Sequence, residues 1–91
     1  MALIAVVDAR QIIGWNLRRL RVAKGLSQER LALEARIDRS YVGRIERGSE
    51  NVTISTLEAF AAALGVEVRA LLDPVTTDAR PPALKAGRKK V

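Results

Sequence analysis

Ninety-one residues enclose one modest core, and the absence of Cys and His excludes disulfide frameworks, thiol nucleophiles, zinc fingers and imidazole acid-base catalysis, and with them most enzyme classes. Hydrophobic residues make up 48% of the chain but include one Trp, one Tyr and one Phe, so the core must be built mainly from Leu, Ile, Val and Ala, which favours packed helices. The net charge of +6 is unevenly spread, with +6 over residues 10–47, −3 over residues 48–73 and +4 from Pro74 onward, a distribution suited to a polyanion and to nucleic acid before a membrane surface.

Asp8 and Gln11 form a capping box ahead of a helix from Ala9 to Lys24, whose Ile13, Leu17 and Leu20 make an apolar stripe and whose end is marked by Gly25. Gly14 inside it signals either close backbone approach or a later helix start, and Trp15 is expected to pack on the N-terminal extension. Ser27 caps a short helix from Gln28 to Ala35, with Leu31, Ala32 and Ala35 inward. Asp38 caps a third from Arg39 to Arg47, with Val42 and Ile45 inward and Gly48 as its stop. Ser55 and Glu58 open a fourth helix carrying Leu57, Phe60, Ala61 and Leu64 and stopping at Gly65. Val68 to Leu72 supplies one or two turns of a fifth, closed by Pro74. The expected organisation is an N-terminal extension over 1–8, a domain over 9–73 and a flexible basic tail over 74–91.

The segment Leu26 to Gly48, LSQERLALEARIDRSYVGRIERG, has helix-turn-helix spacing. Ala32 is small where two helices cross, Ile37 plugs the turn, and Val42 and Ile45 seat the third helix so that Arg39, Ser40, Gly43, Arg44 and Arg47 lie on its free side. Arginine pairs bidentately with guanine, and a helix fits the major groove, so Arg39 and Arg44 suit base reading. The amides at Ser27 and Gln28, at a helix N-terminus, suit a phosphate. Asp38 is read as an N-cap and Tyr41 either as partly core or as a phosphate contact.

Over Gly14 to Leu72 the chain resembles the phage-repressor/Cro-type helix-turn-helix family of bacterial transcription regulators. The resemblance rests on Leu17 to Arg21, Gly25 to Ala32, Arg39 to Gly48, and Thr56-Leu57 with Ala63-Leu64-Gly65. With Asn51-Val52, the third-helix run looks most like the small controller proteins of restriction-modification systems. The resemblance implies that Gln28 contacts phosphate, that Arg39, Ser40 and Arg44 face bases, and that Tyr41, Arg47 and Asn51 lie along the DNA backbone. It also implies an Arg21–Glu46 pair tying the third helix to the first. Arg36 stands where the family usually has Gly, so a left-handed turn there would cost roughly 1–2 kcal/mol.

The expected fold is all-α, a five-helix lambda-repressor-like DNA-binding domain, and the expected function is sequence-specific binding of double-stranded DNA to regulate transcription. Resemblance and geometry together imply a homodimer, with Val66, Val68, Leu71 and Leu72 as its surface. The alternative is an antitoxin or adaptor whose termini bind a protein partner. No metal, cofactor or membrane is implied. Ala2 to Val7 lacks the features of a signal peptide and no apolar run is long enough to span a bilayer, so a cytoplasmic location is expected.

Overall fold

A computed structural model describes residues 4–5 and 8–77, with helices α1 (Ala9–Ala23), α2 (Gln28–Ala35), α3 (Arg39–Glu46) and α4 (Ile54–Leu64). The fifth expected helix is a 3-10 helix, Val68–Leu72, in which the Ala70 N–H donates three residues back to the Glu67 carbonyl at 2.9 Å. The chain leaves it through Asp73, whose ψ of 139° is the extended geometry favoured before Pro74.

Beyond the helices, β1 (Ile4–Ala5) and β2 (Thr76–Thr77) form an antiparallel ladder with Ile4 opposite Thr77 and Ala5 opposite Thr76. Two residues on each side carry too little alternation to be read from sequence. The ladder brings the two ends of the described chain together, and Val75, placed by the sequence in the flexible tail, is buried. Residues 78–91, most of the expected basic tail, lie outside the described residues, as do 1–3 and 6–7 of the expected extension.

Side-chain caps set the helix starts. Asp8 accepts from the Arg10 amide at 2.9 Å, Ser27 from Arg30 at 2.9 Å and Asp38 from Ser40 at 2.7 Å. The α4 start differs from the Ser55–Glu58 box: Thr53 Oγ1 accepts from the Thr56 amide at 3.1 Å, so Ile54 is already helical. The helix ends share one pattern of two backbone bonds around a left-handed residue. Gly25, Gly48 and Gly65 supply it after α1, α3 and α4, but Arg36 supplies it after α2, at φ 60°. There the Ile37 N–H reaches the Ala32 carbonyl at 2.9 Å and the Arg36 N–H reaches Leu33 at 3.3 Å, so the turn keeps the glycine geometry despite its side chain.

The core is aliphatic around one ring. Leu17, Leu31, Val42, Ile45, Phe60 and Leu71 are essentially inaccessible, and each such side chain contributes about 1.5–3 kcal/mol over exposure. In this packing α1 lies against α3 and the 3-10 helix, and α2 lies between α3 and α4. Two polar side chains share the buried face of α1, Asn16 and Arg21, and both find partners. Asn16 Nδ2 donates to the carbonyls of Leu71 at 3.2 Å and Asp73 at 2.9 Å, while its Oδ1 accepts from Arg19 at 3.0 Å, locking the 3-10 helix onto α1.

Candidate nucleic-acid interface

The position of α3 is set from beneath by Glu46. Its carboxylate, 2% exposed, accepts from Arg21 Nε at 2.7 Å and Nη2 at 3.0 Å, a side-on pair between α1 and α3. Arg21 Nη1 donates to the Leu26 carbonyl at 2.9 Å, tying in the approach to α2. Gln28 Nε2 donates to Glu46 Oε1 at 3.0 Å, and Arg18 adds a looser contact at 3.9 Å. One carboxylate of α3 therefore gathers groups from α1 and α2. Of the two readings of Gly14, close approach is the observed one: a Cβ there would collide with the Ile45 carbonyl oxygen and lie 2.8 Å from that of Glu46.

With Val42 and Ile45 sunk in the core, the other side of α3 presents Arg39, Ser40, Arg44 and Arg47. Arg39 and Arg47 are exposed, and among the described residues neither guanidinium has an ion-pair partner within 4.0 Å. The Ser40 hydroxyl donates to Asp38, and its amide donates to the same oxygen. These two bonds, the hydroxyl first, hold the Asp38 carboxyl below its ordinary value. Gly43, which the sequence places on this free side, is not accessible there. It is buried, and a Cβ would meet Arg47 Nη1 at 3.4 Å and Gln28 Oε1 at 3.7 Å, because Gln28 leans over it toward Glu46.

Tyr41 is half-buried against the core, with its hydroxyl 3.4 Å from the Asn51 carbonyl, while Asn51 itself is exposed in the loop after α3. Arg44 lies over the Tyr41 ring, 5.6 Å from its centroid, and its Nε donates to Glu50 at 2.6 Å. Glu50 has no sequence signal. It stands six residues after Arg44, and only the turn at Gly48, closed by Ser49 N–H to the Arg44 carbonyl at 3.1 Å, brings it back. Lys24 is a second residue without a signal, its Nζ donating to the Leu64 carbonyl at 3.1 Å at the end of α4.

The proposed dimer surface needs one correction. Leu71 has no accessible surface; it is a core residue between α1 and α4, because the 3-10 helix turns its fourth position inward. Val66 and Val68 are half-buried and Leu72 is 47% exposed, so only these three can meet another molecule. The terminal segments expected to hold a protein partner lie mostly outside the described residues. Among the described residues no cluster of acidic side chains could hold a metal, and no helix is long and apolar enough to cross a membrane.

The helix-turn-helix family model matches residues 17–71. The chain is 46% identical over 67 residues to a hypothetical transcription factor of Neisseria meningitidis, a match covering 74% of this chain and 63% of that protein. It is 41% identical over 70 residues to control protein C.BamHI of Bacillus amyloliquefaciens, covering 76% of this chain and 86% of that one. The crystal structure of the restriction-modification controller protein C.AhdI from Aeromonas hydrophila aligns with a TM-score of 0.67 at 50% identity, over 68% of this chain and 94% of that chain. The resemblance expected from the sequence therefore holds. The matched span contains both ends of the Arg21–Glu46 tie and all of α2, α3 and α4, and the chain belongs to the helix-turn-helix family of DNA-binding transcription regulators, which are not enzymes.

Proposed function

We propose that the protein is a homodimer that occupies a two-fold-symmetric operator in the cytoplasm, each copy laying α3 in the major groove of double-stranded DNA. The observation carrying this reading is the outer face of α3, where Arg39, Ser40, Arg44 and Arg47 remain accessible while Val42 and Ile45 anchor the opposite side. Arg39 and Arg44 read base edges, the guanidinium fork matching guanine O6 and N7, and Ser40 adds a short polar contact. Tyr41, Arg47 and Asn51 follow the DNA backbone. Gln28 gives one amide hydrogen to Glu46 and keeps a second for a phosphate at the start of α2.

A single such helix reads only a few base pairs, which is the argument for two half-sites about 34–36 Å apart or a multiple of it. Val66, Val68 and Leu72, in and beside the 3-10 helix that packs on α1 and α4, form the proposed contact between copies. The likeness to control and controller proteins supports the reading of a transcription regulator, and its own gene is placed among the proposed targets. The test is sequencing of genomic fragments retained by the protein at ~0.15 M salt, where the Debye length is about 8 Å, with the Arg39→Ala/Arg44→Ala double variant as control. A symmetric site lost in the control is the expected result, together with a dimer in sedimentation that Leu72→Asp weakens. Retention without sequence preference would refute the reading.

A further inference from the structure

Arg44 is held in a way that its proposed role does not require. A surface arginine samples many rotamers and gives up that freedom when it contacts a base. Here the freedom is already restricted in the free protein. Glu50 Oε2 takes Nε at 2.6 Å, the Tyr41 ring lies 5.6 Å beneath the guanidinium, and the Arg44 side chain remains 44% exposed. Among the described residues the two Nη groups have no hydrogen-bond partner. With Nε occupied, guanine can be met only by the Nη1–Nη2 edge, end-on, and that edge is the one left open.

We propose that Glu50 is a specificity-positioning residue, fixing Arg44 by its Nε so that its Nη edge is preset for one base position. The inference rests on the reading that α3 enters the major groove. Glu50 touches no base itself; its two effects have opposite signs. Holding Arg44 sharpens discrimination at the base that Arg44 reads, because the correct base meets an ordered donor pair and a wrong base cannot recruit Nε instead. Its negative charge, half-buried beside the DNA-facing side, weakens attraction to phosphates on every sequence. Glu50 thus lowers affinity for random DNA while raising the preference for the operator.

The experiment compares wild type, Glu50→Ala and Glu50→Gln on the selected operator, on operators changed at each base pair of one half-site, and on random duplex, with circular dichroism confirming equal helix content. A good bidentate contact discriminates by roughly 5- to 150-fold. Glu50→Ala is expected to lose about tenfold of that preference at the Arg44 position and nowhere else, and to bind random duplex more tightly. Glu50→Gln, which removes the charge but keeps an acceptor for Nε, is expected to share the gain on random duplex yet restore most of the preference. In an Arg44→Ala background neither variant should alter discrimination. Unchanged preference in Glu50→Ala, or equal loss in Ala and Gln, overturns the positioning role while leaving the DNA-binding reading intact. Absence of any preferred site for the wild type overturns both.

Discussion

Glu46 receives two parallel hydrogen bonds from Arg21, at 2.7 and 3.0 Å, with the carboxylate 2% and the guanidinium side chain 10% exposed. The pair joins the last turns of α1 and α3, so the DNA-facing helix is fixed by a buried charge rather than by apolar contact alone. Removing one partner of such a pair leaves an uncompensated charge and typically costs about 3–5 kcal/mol. Gln28 and Arg18 still reach Glu46, which sets the expected loss for Arg21→Ala at about 3 kcal/mol, the low end of that range. Urea denaturation measures it. Arg21→Lys should recover only part, since a point charge cannot bridge both oxygens and the Leu26 carbonyl at once. A loss below ~1 kcal/mol would rank the pair with exposed salt bridges instead.

Gly14→Ala separates helix propensity from packing. Alanine is favoured over glycine within a helix by about 1 kcal/mol, and an isolated α1 would gain from the change. In the folded protein the new methyl meets the carbonyls of Ile45 and Glu46, which are backbone and cannot rotate away. We expect α3 to be pushed off α1 at a net cost of about 1–3 kcal/mol, as for overpacked cores, with a drop in operator preference alongside it. A thermal melt at or above wild type would show that the helices do not approach as closely as described.

What could be read in advance follows the range of each interaction along the chain. Caps at Asp8, Ser27 and Asp38 act within two or three residues, and the stripes of Leu17, Leu31, Val42 and Phe60 repeat within a helix, so the framework was legible. Arg44 and Glu50 meet only after a reversal at Gly48, Asn16 reaches carbonyls of Leu71 and Asp73 more than fifty residues away, and Lys24 meets Leu64 across the fold; no local period encodes such pairs. The burial of Leu71 was not legible because, in a five-residue segment with apolar residues at Val68, Leu71 and Leu72, the single polar residue Arg69 does not tell which of the two adjacent leucines points inward. Gly14 was visible as an anomaly, but its meaning depended on the carbonyls of α3.

Arg36 is the one non-glycine residue with positive φ among the described residues, at 60°, in the turn of the helix-turn-helix. Left-handed geometry costs a residue with a Cβ roughly 1–2 kcal/mol, while glycine's extra freedom in the unfolded chain returns about 0.5–1 kcal/mol of the gain. Arg36→Gly is therefore expected to stabilise the protein by about 0.5–1 kcal/mol, raising the urea midpoint with an unchanged slope. A lower midpoint would mean that the Arg36 side chain makes contacts that outweigh its backbone strain.

Asp38 gives the start of α3 a pH dependence. Hydrogen bonds from the Ser40 hydroxyl and then the Ser40 amide hold its carboxyl below the ordinary 3.8, and Arg44 acts in the same direction. Because the folded value is lowered, the cap's contribution is complete above the unfolded pKa and disappears as pH falls below 3.8 through the folded value. Side-chain carboxyl NMR should show Asp38 titrating below a disordered aspartate, with amide protection of Ser40 and Tyr41 lost over the same interval. Asp38→Asn caps helices comparably but does not titrate, so it should keep that protection where the wild type loses it. Loss at the same pH in both proteins would assign the acid sensitivity of α3 to a group other than Asp38.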